Sequence, residues 1–278
     1  MNRVSWPLLF AFGLIASCEG DKPKSMTRDE ALAADTIATE PCELELSTEN
    51  DGLPPVVQAE DFNSFFFRYA TDGRLQKSRT NFPLHLNAFG SDLAIERDEW
   101  QQQTFFSDPD FYTVFLSDKE EIDLMETSNR AAVDVHLLNA EDSTMRTFHF
   151  DRQDGKWKLT REVLDDLANH AMADFYFFYH TFVTDSTFQQ QSIARSLQYV
   201  TTDPEDESQS MEGTLTPDQW FAFSPDMPRG LLTNIMYGQM LHNPSHVVML
   251  KCGFSNGMMD IFTFRRKGGE WKLTAYEN

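Results

Sequence analysis

Asp154-Gly155-Lys156-Trp157-Lys158-Leu159-Thr160 returns as Gly268-Gly269-Glu270-Trp271-Lys272-Leu273-Thr274, and Trp157 and Trp271 stand 114 positions apart in a chain of 278 residues. In both stretches a glycine-bearing turn leads into an alternating Trp-Lys-Leu-Thr run, the pattern of a hairpin whose second strand turns Trp and Leu to one face. Working outward, Phe148 and Phe150 recur as Phe262 and Phe264. Farther upstream, Phe62, Phe65, Phe66 and Tyr69 recur as Phe175, Phe178, Tyr179 and Phe182. Each aromatic run ends at a Thr-Asp pair, Thr71-Asp72 and Thr184-Asp185. Several matches in one order at a nearly constant offset indicate a duplication, with enough chain in each copy for one compact unit.

Within a copy, the first elements read as helices. Phe62, Phe65, Phe66 and Tyr69 fall at i, i+3, i+4 and i+7, so residues 60–71 form a helix with one apolar face. Residues 169–184 repeat it with aromatics on more than one side, the mark of a helix touching neighbours on two faces. Weaker helical segments follow at 76–79 and 188–195. The period then changes to two, giving strands at 132–138, 145–150 and 156–161 in the first copy and 247–254, 258–265 and 270–276 in the second. Shorter extended pieces, 83–88 and 197–201, precede them. Trp100 and Trp220 each lead to an apolar patch, 111–116 and 231–236. Residues 201–216, with Pro204-Glu205-Asp206-Glu207-Ser208, read as an acidic mobile loop.

Helices first and an antiparallel sheet after is an α+β plan, drawn twice in succession at residues 56–166 and 167–278. Element order, repeat length and the closing Trp-Lys-Leu-Thr strand resemble the nuclear-transport-factor-2-like (cystatin-like) fold. More narrowly, the chain resembles Gram-negative lipoproteins of unknown function that carry such domains in tandem. The resemblance implies two cone-shaped domains, each with helices packed on a curved antiparallel sheet. It carries no catalytic residue across, because that fold hosts unrelated functions.

The N-terminus has Arg3, an apolar stretch over residues 4–15, and then Ile15-Ala16-Ser17-Cys18. The stretch is too short for a permanent span, and its order is that of a signal peptide covering residues 1–17. Small-small-Cys resembles the bacterial lipobox, which implies cleavage before Cys18 and lipidation of that residue. Residues 18–55 then form a polar tether too poor in large apolar groups to fold alone. This places the chain in the cell envelope of a Gram-negative bacterium, held by lipid at the outer membrane. With Cys18 assigned to lipid, Cys42 and Cys252 remain as a pair that could form a disulfide. Neither lies in a Cys-x-x-Cys pair, which argues against redox catalysis and a thiolate metal cage. The chain carries 23 basic against 44 acidic residues, net −21. That balance excludes nucleic acid, and it confines membrane contact to the lipid.

Candidate chemistry is sparse. Asp134 and His136 sit two apart on one strand, on the face opposite Val133, Val135 and Leu137, where a buried carboxylate and an imidazole could act as general base and acid. Their counterparts Val248 and Leu250 cannot. His85 stands alone between two leucines. His242 and His246 have the spacing of a zinc helix, but Pro244 breaks it. Phosphate loops, nucleophile elbows and dinucleotide fingerprints are missing, so neither metal nor cofactor is expected. Trp100, Trp157, Trp220, Trp271, Tyr69 and Tyr179 are the candidates for ligand contact, on the rule that small-molecule sites are apolar and concave, with Trp157 and Trp271 set at equivalent final-strand places as duplicated packing residues are. The expectation is a non-enzymatic, lipid-anchored envelope protein that binds a small apolar molecule, a peptide or a protein partner. The alternative is an isomerase- or dehydratase-like enzyme using Asp134 and His136.

Overall fold

Asp72 and Asp185, the acids of the two Thr-Asp pairs, each close one helix and cap the next. Helix α1 (Phe62–Thr71) starts at Asp61, whose carboxylate accepts the Ser64 N–H, and buries Phe62, Phe65, Phe66 and Tyr69. Asp72 then accepts from Arg74 and Leu75 to start α2 (Gly73–Ser78). In the second copy Asp185 follows α3 (Ala173–Thr184) and accepts from Thr187 and Phe188 to start α4 (Ser186–Gln191). The turn between paired helices is thus written in one capping residue per copy. The computed structural model describes residues 60–107, 111–126, 129–206, 208–241, 243–254 and 257–278. The expected signal peptide, Cys18, the tether, Cys42 and His242 lie outside those residues.

Among the described residues, twelve strands accompany these helices, six after each helix pair. The first copy supplies β1 (Thr80–Ala88), β2 (Ser91–Ile95), β3 (Phe111–Leu116), β4 (Ala132–Asn139), β5 (Thr144–Gln153) and β6 (Lys156–Asp166). The second supplies β7 (Ile193–Thr202), β8 (Ser210–Leu215), β9 (Leu231–Met236), β10 (His246–Gly253), β11 (Met259–Lys267) and β12 (Glu270–Glu277). All belong to one sheet, in the order β2-β1-β6-β5-β4-β9-β3-β10-β11-β12-β7-β8. Advancing every label by six and reversing the order returns the same list, so the sheet has a pseudo-two-fold relation between copies.

The centre of that list is an exchange. Strand β4 pairs with β9 of the second copy, and β10 pairs with β3 of the first, while β3 and β9 lie side by side in parallel with Thr113 in register with Asn234. The boundary drawn at 166/167 therefore marks a repeat of element order, and strand pairing crosses it three times. Alternate residues of a strand point to opposite faces. Val133, Val135 and Leu137 enter one core with α1, whereas Leu138 enters another with α3; Val114 and Leu116 divide from Phe115 in the same way, and Val248 and Leu250 from Val247 and Met249. The two cores hence lie on opposite faces of shared central strands.

Two segments differ from their sequence reading. Residues 201–216 are not a free loop: Ser210–Leu215 pairs with β7 as the counterpart of β2, and Asp203 and Gln209 close the turn. The strand is exposed on both faces except at Leu215, so it has no alternation to read. Past it, Thr216 and Gln219 form a reciprocal capping box that starts a fifth helix, α5 (Pro217–Phe223).

Candidate functional site

Asp134 and His136 share a face of β4, but they do not pair. Asp134 is across the ladder from His149 on β5, with Oδ1 2.7 Å from His149 Nδ1, and His149 Nε2 lies 3.2 Å from an Arg161 guanidinium nitrogen on β6. The result is a partly exposed Asp-His-Arg row on the sheet surface, with the Asp134 side chain 38% exposed. His136, 8% exposed, turns toward His170, ring centres 6.3 Å apart. Its Nδ1 finds no hydrogen-bond partner among the described residues. Burial pushes its pKa down to about 4, which keeps the imidazole neutral.

Four of the aromatic candidates, Tyr69, Trp100, Tyr179 and Trp220, are packing residues in the structure. Tyr69 and Trp100 lie in the α1 core, and Tyr179 and Trp220 in the α3 core. Tyr69 Oη is 3.0 Å from Thr80 Oγ1, and Tyr179 Oη donates to the Pro228 carbonyl at 3.1 Å. The space beside Tyr179 is about 10 Å³, roughly one water. Cys252 is buried in the α1 core with no disulfide partner among the described residues, its pKa pushed up to about 12 by burial. His246 heads β10.

A buried carboxylate that the sequence reading did not single out is Glu162. Its side chain is 1% exposed, on the Phe148 side of the sheet, in the α1 core, and its Oε2 is 2.8 Å from Arg146. Arg146 also donates to Gln103 Oε1 at 2.8 Å and lies over the Phe148 ring. Burial raises the Glu162 pKa, against the lowering effect of Arg146. A bulge explains why alternation hides it: His149 pairs with Arg161 but Phe150 pairs with Leu159, so Thr160 is an extra residue and Glu162 takes the inward place. The second copy bulges at the same point and puts Tyr276 inward, hydrogen-bonded to Asp260 at 2.9 Å.

An open, aromatic-lined groove of about 530 Å³ runs between α3, α4 and the β11–β12 hairpin. Phe177, Phe178, Phe188 and Trp271 form its apolar lining, with Asp174 and Lys272 on the rim. Phe178 packs against Phe188 and Trp271, with ring centres 5.8 and 6.2 Å away. Asp174 Oδ2 accepts from Arg266 at 2.7 Å and from the Trp271 indole at 3.2 Å. Lys272 Nζ donates to the Gln191 carbonyl at 2.7 Å and sits 3.3 Å from Glu270. The lining joins aromatic faces to charges of both signs, which suits an amphipathic guest. The sequence held two signs of this site, the aromatics on more than one side of α3, and Trp271 among the residues named for ligand contact.

Comparison with known proteins bears on the whole chain. Residues 43–278 match the model of the DUF4348 family, described as a domain of unknown function. The crystal structure of an NTF2-like protein from Bacteroides fragilis is similar at 33% sequence identity over 81% of this chain and 98% of that one, with a TM-score of 0.74. The α+β, nuclear-transport-factor-2-like fold expected from the sequence is the fold of the chain. A search of curated proteins finds no match.

Proposed function

Since the chain belongs to the DUF4348 family, a domain of unknown function, we propose from its own geometry a non-enzymatic, lipid-anchored envelope protein that binds a peptide or protein partner in the α3–α4 groove. One observation carries the reading: both cores are filled with their own aromatic side chains, while the one large aromatic-lined space described above opens to the surface beside Trp271. Thr181 lines that space from α3, so Thr181→Trp fills it from a helix surface. Peptides and small apolar probes that change the fluorescence of wild-type protein are expected to lose most of their effect on this variant. Equal binding to both proteins removes the groove from consideration. The lipid anchor at Cys18 predicts palmitate incorporation in cells by wild type and none by Cys18→Ala.

A second reading, an isomerase- or dehydratase-like enzyme, draws support from Glu162 rather than from Asp134 and His136. A carboxyl buried beside Arg146 and Tyr69, with raised proton affinity, is the kind of group that serves as acid or base. Infrared difference titration with Glu162→Gln as the blank is expected to show one carboxyl protonating above the ordinary glutamate range. A carboxyl that titrates in that range ends the enzyme reading.

A further inference from the structure

We infer that the groove seats the guanidinium of an arginine, paired with an acidic side chain, presented by a basic peptide or protein partner. The inference rests on the groove being a binding site and goes further by naming what enters it. Its ground is that the first copy fills the same place with residues of its own.

In the first copy, Arg79 caps the end of α2 with φ −106° and ψ 15°; in the second, Ser192 caps α4 with φ −95° and ψ 8°. Both carbonyls accept equivalent strand amides, Leu159 N–H to Arg79 and Leu273 N–H to Ser192, each at 2.8 Å. The backbones match; the side chains do not. The Arg79 guanidinium lies over the Phe65 ring at 5.4 Å, donates to the Trp157 carbonyl at 3.0 Å, and makes a two-pronged pair with Glu60 at 3.0 and 3.1 Å. Glu60 in turn accepts the Trp157 backbone N–H at 3.0 Å. The counterparts of Phe65 and Trp157 are Phe178 and Trp271, both retained, while those of Arg79 and Glu60 are Ser192 and Ala173. The second copy keeps the receptor and lacks its contents.

What remains fits the missing pair. Phe178 stands where Phe65 carries the Arg79 guanidinium, and an aromatic ring attracts a planar cation to its face. Arg266 pairs with Trp271 next to the Lys267–Glu270 pair that closes a two-residue turn, and this alternation aims the Trp271 N–H away from β11, as it aims the Trp157 N–H at Glu60. Asp174 and Glu270 already pair with Arg266 and Lys272 around the groove, so the lining has no surplus negative charge for a lone cation and favours one that arrives with its own carboxylate. The chain's net charge of −21 draws a basic partner by long-range attraction.

The test uses the full chain and three blocked peptides in an alanine helix, each with Glu four residues before Arg, Lys or citrulline, the last a neutral near-isostere of arginine. Binding is read from the Trp271 indole N–H resonance, assigned with Trp271→Phe. The arginine peptide is expected to shift it with at least about tenfold higher affinity than the citrulline peptide. Ser192→Arg is expected to abolish the shift by filling the arginine's place, and its combination with Ala173→Glu, which restores the first copy's Arg–Glu pair, is expected to do so with an unchanged or raised melting temperature. Phe178→Leu, which keeps bulk and removes the ring face, is expected to weaken the arginine peptide and leave the citrulline peptide unchanged. Arginine and citrulline peptides binding equally, both blocked by Thr181→Trp, overturn the arginine assignment and leave the groove reading standing. Binding that neither Ser192→Arg nor Thr181→Trp reduces overturns both.

Discussion

His136 occupies the place that Leu250 takes in the other copy, and this decides how it behaves. Its ring is buried, its Nδ1 lacks a partner among the described residues, and its pKa falls to about 4 from 6.5. With the folded value below the unfolded one, the unfolded chain takes the proton first. Stability is whole above about pH 6.5 and is lost as pH falls toward 4, by about 3 kcal/mol from this residue alone. His136→Leu is expected to flatten that slope in urea titrations and to stabilise the protein at neutral pH by roughly 1 kcal/mol, since an unsatisfied polar atom leaves the core. A slope unchanged by the substitution would show that other groups carry it. Glu162 acts in the opposite sense: its folded pKa is raised, so its share of stability grows as pH falls through that value, and Glu162→Gln isolates the His136 effect. The same pair separates by mutation. Arg146→Ala strands a buried carboxylate and is expected to cost about 3 kcal/mol, while Glu162→Gln is expected to be near neutral, both read as shifts in the urea midpoint.

At the scale of elements, what the sequence made legible is what local periodicity and capping determine. Phe62, Phe65, Phe66 and Tyr69 announce α1 because a helical face repeats every turn, and Asp72 and Asp185 announce the helix ends because a carboxylate there meets free N–H groups. Asp72→Ala and Asp185→Ala are each expected to cost about 1 kcal/mol in thermal unfolding, and a large difference between them would break the equivalence of the copies. Less legible are elements whose pattern is weak or interrupted. Strand β8 is a polar edge strand, so Pro204 and its acidic neighbours dominated the reading. Bulges at Thr160 and Thr274 shift the alternation by one, which hid Glu162 and Tyr276. Asp134 looked like a partner of His136 because spacing along a strand is visible in sequence; its actual partner, His149, is set by cross-strand register.

For the whole molecule, the exchange of β3 and β9 is the feature that no local pattern encodes. Phe111–Leu116 reads as a buried strand whichever copy it pairs with, since its apolar run faces a core on each side. The choice of partner lies in contacts about 120 residues apart, such as the Thr113 hydroxyl on the Thr233 carbonyl and the Asn234 side chain on the Phe115 N–H. The arrangement makes each half incomplete: without the second copy, β4 loses β9 and presents an open edge, and β3 loses both β10 and β9. Residues 56–166 and 167–278 made separately are therefore expected to leave an apolar strand unpaired, and to dimerise or aggregate through it. Co-refolded, the two fragments are expected to form a one-to-one complex with a single cooperative unfolding transition, measured by sedimentation and calorimetry. Halves that remain monomeric and unfold independently at the melting temperature of the intact chain would mean that each can close on its own third strand, and the exchange would then contribute nothing to stability. The two-fold relation supplies the reason to expect otherwise: the same slot is vacant in both halves, and each half carries the strand that fits the other.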